Sequence, residues 1–269
     1  VSCNTKQIMK ITLTFLTLFI GLQSFSQNYE YEKQIELILS KIDSKETIPE
    51  DKKDLKSIAY DLQNKGQKLD ESAHDYASAL LLISKAIKIF THLDDTLNVA
   101  NNLKFRGYLL ARFEKYGEAK AEIKQAISLF ESKSKEWGVA VSNFDLSRVY
   151  DFEKKLDSAI YFCNLSLNYW KSKNIASRIF NNQNMLIHLL KKASQTSMAK
   201  NIQENSEILA KDPELHWQDL IDFYFVSEEL YKKSNDPIIS SKYHALFKAK
   251  VADLSKDGII AKSYYDISP

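Results

Sequence analysis

Apolar and small residues recur along this chain on a fixed 40-residue beat. Ala79, Ala119, Ala159 and Ala199 mark it at equal spacing. Three residues before them come Tyr76, Tyr116, Leu156 and Thr196. Four after come Ile83, Ile123, Cys163 and Gln203, and seven after come the small Ala86, Ala126, Ser166 and Ser206. Eleven after come Phe90, Phe130, Trp170 and Ala210, so three copies agree and the fourth is decaying. Offsets of 0, 4, 7 and 11 mark one stripe of an α-helix. A second apolar-periodic segment precedes each stripe: Val99-Ala100-Leu103-Gly107-Leu110-Phe113 in the best copy, and Val139, Val141, Leu146, Tyr150 and Phe152 in the next. Each unit is therefore a helical hairpin that must stack on its neighbours to bury its apolar face.

The pattern predicts helices over 30–44, 51–65, 72–91, 96–113, 116–132, 136–152, 156–172, 175–192, 196–210, 216–233 and 237–255. Asp212-Pro213 and Asn235-Asp236-Pro237 supply a capping residue and a proline at helix starts, and Asp257-Gly258 ends the last helix. Six Gly and four Pro in 269 residues are too few turn formers for a β-rich fold, which makes the fold class all-α. No low-complexity linker interrupts residues 27–258, which reads as one repeat domain, and 259–269 reads as a tail or the stub of a continuation.

The run Gly107-Tyr-Leu-Leu110-Ala-Arg-Phe-Glu-Lys-Tyr116-Gly-Glu-Ala119, continuing to Ile123 and Ala126, resembles a tetratricopeptide repeat. The copy with Ser147, Tyr150, Leu156, Ala159, Cys163 and Ser166 is similar. Arg106 stands where that family usually carries Leu, the proline expected after the second helix is missing, and the period is 40 instead of 34. Longer periods of this kind resemble repeat regions of bacterial regulators and sensor kinases. The resemblance implies a right-handed superhelical solenoid of stacked antiparallel hairpins, with first helices lining a concave peptide groove. Carried over by position, the groove candidates are Asn101, Lys104, Tyr108, Arg112, Phe144, Arg148, Asp151, Asn181, Asn184 and His188. Tyr108 and Phe144 are the informative pair, expected as exposed aromatics. Trp137, Trp170 and Trp217 are read as core, as is Cys163. The family's terminal-carboxylate clamp is not expected, because Tyr108 stands one turn after Lys104 where an Asn belongs.

The first 26 residues read as an address. Lys10 is followed by an apolar stretch from Ile11 to Leu22, then Ser24 and Ser26 at positions suited to signal peptidase. That stretch is shorter than the roughly 20 residues a membrane-spanning helix requires. Cleavage is expected between Ser26 and Gln27, giving a periplasmic or secreted protein with no stable membrane span. Met9 is the expected natural start, with Val1–Ile8 as translated upstream sequence. The ending at Ser268-Pro269, with no tapering tail, suggests a piece of a longer gene, so an extracytoplasmic sensor region of a signalling receptor is the alternative reading.

The formal charge is +2, and Lys6 and Lys10 in the leader account for all of it. A neutral mature chain has no electrostatic footprint for nucleic acid. The five His never fall at metal-ligand spacing, and neither a phosphate loop nor a nucleophile elbow occurs. No cofactor, metal or catalytic residue is expected. The expected work is to hold a protein or peptide partner.

Overall fold

The computed structural model describes residues 29–70 and 74–257. The expected leader with its cut after Ser26, Cys3, and the tail 259–269 lie outside these residues. Among them the chain forms eleven helices and no strand. Helix α1 covers 29–44, followed by α2 (Lys52–Lys68), α3 (Tyr76–His92), α4 (Thr96–Arg112), α5 (Tyr116–Ser132) and α6 (Glu136–Phe152). Then come α7 (Leu156–Lys173), α8 (Ala176–Lys192), α9 (Thr196–Leu209), α10 (Trp217–Lys233) and α11 (Pro237–Lys256). All eleven expected helices are present. Expected and observed bounds differ most at α3, which begins at Tyr76, where Asp75 Oδ1 caps Ser78 N at 3.1 Å, and at the end of α2, which runs on to Lys68; α10 starts within one residue of expectation but is capped by His216 instead of the Asp212-Pro213 pair.

The regularity is finer than the 40-residue beat. Helices α2 to α6, α8 and α10 are each 17 residues long. Between helices, Asp94, Glu114, Ser134, Lys154, Asn174 and Ser194, evenly spaced at half the repeat, all have positive φ, from 52° to 63°. At each, two backbone bonds close the helix end. After α4, Lys115 N donates to Leu110 O at 3.1 Å and Glu114 N to Ala111 O at 3.0 Å; after α6, Lys155 N donates to Tyr150 O at 2.8 Å. This left-handed cap satisfies carbonyls the helix leaves orphaned. Glycine is the usual occupant because a Cβ costs about 1–2 kcal/mol in this conformation. Here every occupant carries a side chain.

The chain divides into two compact units, with the boundary between Val99 and Ala100. In the first, Ile35, Ile38, Leu55, Ala59, Leu62, Ala86, Ile89 and Phe90 form the buried core. In the second, Ala159, Cys163, Leu167, Leu186 and Leu189 form one cluster, and Phe180, Ile187, Leu190, Phe223, Leu230, Tyr231 and Tyr243 another. The stripe alanines Ala79, Ala119, Ala159 and Ala199 are all fully buried, and so are Ile83, Ile123 and Cys163. Glycine on the first helix allows the close approach: a Cβ on Gly107 would lie 2.6 Å from Ile123 Cγ1 and 2.8 Å from Ala119 O, and one on Gly138 would lie 2.3 Å from Phe130 Cδ1.

In the decaying copy, Gln203 occupies the position of Ile83 and Ile123. Its amide is buried but satisfied: it donates to Tyr243 Oη and accepts from Tyr231 Oη at 3.0 Å. Arg106, the other departure, forms a forked pair with Glu122 at 2.6 and 3.1 Å. Of the three tryptophans expected in the core, Trp170 is 8% exposed, but Trp137 is 39% exposed, leaning on Phe130 from the first turn of α6. Trp217 is half-buried against Ile221, Val251 and Leu254.

Candidate functional site

All ten groove candidates fall in the second unit, on the first helices α4, α6 and α8. Three-four spacing along each helix sets their side chains in rows, and contacts between helices join the rows into one face. Lys104 Nζ lies 3.4 Å from Asp145 Oδ2, and the Arg148 guanidinium 3.7 Å from Asp145 Oδ1. That guanidinium stacks 3.8 Å above the Tyr108 ring, whose other neighbours are Phe105 and Phe152, each at 6.2 Å. Arg112 sits 5.3 Å over Phe152. Two arginines thus rest on an aromatic bed, which desolvates one face of each cation and holds the long side chains in place.

The next helix pair continues the face. Asp151 accepts from Lys192 Nζ at 2.6 Å and pairs with His188 Nε2 at 3.2 Å. Burial alone would raise the Asp151 carboxyl, but the bonds from His188 and then Lys192 outweigh it, so its pKa lies below the ordinary carboxylate value. Further on, Asn181 donates to Asp219 Oδ1 at 2.7 Å and Asn184 to the Asp219 carbonyl at 2.9 Å, which carries the face onto α10.

Two candidates differ from expectation. Tyr108 is 8% exposed, because Arg148 lies across it. Phe144 is half-buried, packed against the core around Ala159, Cys163 and Leu186. Neither is an open aromatic platform; the outward chemistry of this face is charge and amide. Asn101 is half-buried on α4. Residues not anticipated also line the face: Asp145, Phe152, Lys192, Asp219 and Asp222. One signal was legible, since Asn102, Ser142, Asn182 and Asp222 share a 40-residue register and all are polar. The first three are buried, and Asp222 is exposed.

Cys163 is fully buried, and burial pushes its thiol up to about 12, so it packs as a small hydrophobe. The larger hollows of this unit open elsewhere. One of about 650 Å³ is lined by Val139, Ala140, Asn143, Leu165 and Tyr169, and one of about 450 Å³ by Asn164, Leu167, Gln183, Asn201 and Ile202. They are gaps between successive second helices floored by a first helix. Among the described residues, no helix is long and apolar enough to cross a membrane.

No protein-family model matches the sequence, and no curated protein does. Solved structures do. BtubC from P. vanneervenii, 13% identical, matches over 77% of this chain and 93% of its own with a TM-score of 0.54. A Podosopora anserina putative kinesin light chain with nearly identical TPR-like repeats, 10% identical, matches over 75% and 98% at 0.57. The apo form of RapI, 13% identical, matches over 85% and 73% at 0.53. At such identities the likeness is one of fold alone. Paired helices and small-residue stripes recurring on one constant period agree with it: this chain folds as a tetratricopeptide-type helical repeat.

Proposed function

We propose that this protein is a non-enzymatic scaffold that holds a peptide or protein segment on the face shared by α4, α6, α8 and α10. The observation that carries the reading is the joined row of Lys104, Arg148, Asp151, His188, Asn181 and Asn184 across three consecutive first helices. A segment laid across successive helices meets a new set of polar groups about every 10 Å, the usual spacing of packed helices. Guanidinium, amide and carboxylate groups in such a row pair with peptide backbone and side chains. Three proteins that share the fold and little sequence support the scaffold reading at the level of architecture.

We place the scaffold outside the cytoplasm, on the strength of the leader-like residues before Gln27. Mass spectrometry of the protein released by its host would check this, with Gln27 as the expected first residue and an intact leader as the contrary result. The binding reading is tested by selecting peptides from a random twelve-residue display library against the purified full chain. Enriched peptides that lose binding with Arg148→Ala or Asn181→Ala support it. Because Tyr108 is packed into the face, Arg148 and Asn181 are the cleaner positions to change. Enriched peptides indifferent to every change on this face would refute it.

A further inference from the structure

The hollow of about 450 Å³ lies between α7 and α9 and is floored by α8. A smaller one of about 180 Å³ adjoins it, because Asn164, Leu186 and Ile202 line both. Together they make one groove. Its α7 wall runs from Asp157 to Lys171, a stretch of helix that spans roughly 20 Å at about 1.5 Å per residue. Gln183, Leu186 and Leu190 form the floor. Successive helical residues turn by about 100°, so these three lie on the opposite side of α8 from Asn181, Asn184 and His188. The groove is therefore separate from the charged row.

Its floor holds a donor without an acceptor. Gln183 is 7% exposed, and its Oε1 is fixed by Ser206 Oγ at 3.1 Å. Its Nε2 donates to nothing among the described residues, and the side chain lines the hollow instead of being sealed in the core. Such a buried amide has given up water for an acceptor it has not met. The walls carry further amides. Asn164 Nδ2 donates to the Ile160 carbonyl at 3.0 Å, and Asn205 Nδ2 to the Asn201 carbonyl at 2.8 Å. Those bonds orient both side chains and leave the Oδ1 of each as an acceptor. Asp157 and Lys171, at the two ends, are the charged residues of the lining, and the first and last turns of α7 account for them. Between them the groove is apolar and amide.

This lining discriminates among occupants. No aromatic ring borders it, so it offers no stacking platform to a base. A bound helix has already paired its own backbone and would leave the amides unmatched. An extended chain carries a free N–H and C=O at each residue and turns alternate side chains to one face. We propose that the α7–α9 groove binds an extended, uncharged peptide segment of about six residues, the number that spans it at roughly 3.3 Å each. A backbone carbonyl of the segment accepts from Gln183 Nε2, and every second side chain rests on Leu167, Leu186, Leu190 and Ile202. This second site stands on its own observations and not on the charged row. A scaffold with both holds one segment on each side of α8.

The test selects twelve-residue display peptides on the full chain and sorts them by variant. Gln183→Leu removes the donor at nearly constant volume and leaves Ser206 Oγ its bond to the Ile202 carbonyl at 2.9 Å. Asn201→Ala alters the exposed wall without touching the core. A class of peptides with apolar residues two apart is expected. Its best member, labelled with fluorescein and followed by anisotropy, should bind about tenfold more weakly to Gln183→Leu, by a smaller factor more weakly to Asn201→Ala, and equally well to Arg148→Ala. High salt should leave its affinity unchanged, since no charge is paired. Thermal melting of each variant separates a lost contact from a lost fold. Enriched peptides that need Arg148 or Asn181 and ignore Gln183 and Asn201 overturn this proposal and leave the scaffold reading standing. Groove-dependent peptides whose apolar residues fall three and four apart overturn the extended occupant. Enriched peptides insensitive to all of these changes overturn both sites.

Discussion

Gly107 and Gly117 lie on facing helices, and they make opposite predictions for the same substitution. In a helix interior, Gly→Ala gains about 1 kcal/mol of propensity. At Gly117, in the first turn of α5, an added Cβ meets nothing within 4 Å, so Gly117→Ala should stabilise by about 0.5–1 kcal/mol. At Gly107 the Cβ would lie 2.6 Å from Ile123 Cγ1 and 2.8 Å from the Ala119 oxygen. Carbon contacts settle at about 3.5–4 Å, so the two helices must separate by on the order of 1 Å. Ile123 is fully buried and the oxygen belongs to the backbone, so neither can swing aside. Overpacking of this kind costs about 1–3 kcal/mol, and the rigid partner puts Gly107→Ala near the top of that range. After the propensity gain, a net loss of about 2 kcal/mol remains. For a unit of this size that lowers Tm by about 4–8 °C, while Gly117→Ala raises it by about 1–4 °C. Thermal melting followed by circular dichroism at 222 nm reads both. A Gly107→Ala chain that melts at or above the unaltered one would refute close approach at this seam.

Other residues carry independent predictions. Gln203→Leu restores the apolar residue of earlier copies but strands the hydroxyl of Tyr231 and takes one of two partners from that of Tyr243, which keeps Glu207, and should cost about 2 kcal/mol in urea unfolding; adding Tyr231→Phe should recover part of it. Asp151→Asn should cost about 1–3 kcal/mol at pH 7 by removing charged bonds to Lys192 and His188. Because the folded-state pKa of Asp151 is depressed, its contribution is present above its unfolded pKa of about 4 and is lost as pH falls through the folded value. The gap between Asp151→Asn and the unaltered chain should therefore close in acid; a gap that persists at pH 2 contradicts the pairing. Glu114→Gly relieves a residue held at φ 61° and should raise stability by up to about 1 kcal/mol, whereas a decrease would argue against the left-handed cap.

The helices were legible because each repeats the same spacing of small and large residues, and burial follows that spacing closely from Ala79 to Ala199. What could not be read was where side chains end up once first helices sit side by side. Tyr108 looks outward-facing on a helical projection, yet Arg148, one repeat further along the chain, covers it. Phe144 likewise turns toward the core of its own hairpin. Periodicity assigns a residue to a face of its own helix and is silent about long side chains reaching from the next one. The acids that organise the face were missed for the same reason: Asp145 and Asp219 gain significance only through partners on other helices. Trp137 was misplaced because position at a helix start says little about cover. The caps were hidden too, since glycine is the sequence signal for a left-handed turn and none stands at those positions.

Matching connectors at each half-repeat from Asp94 to Ser194 make this stretch of the chain divisible. The turn at Glu114-Lys115 leads into α5 by the same backbone path that the turn at Lys154-Lys155 takes into α7. Excising residues 116–155 would therefore join Lys115 to Leu156 with no change in connector length, and Gly107 would face Cys163 in place of Ile123. In such a molecule, length is a quantity that can be dialled in whole hairpins, and a shorter or longer relative would be expected to differ by complete repeats while keeping every remaining turn intact.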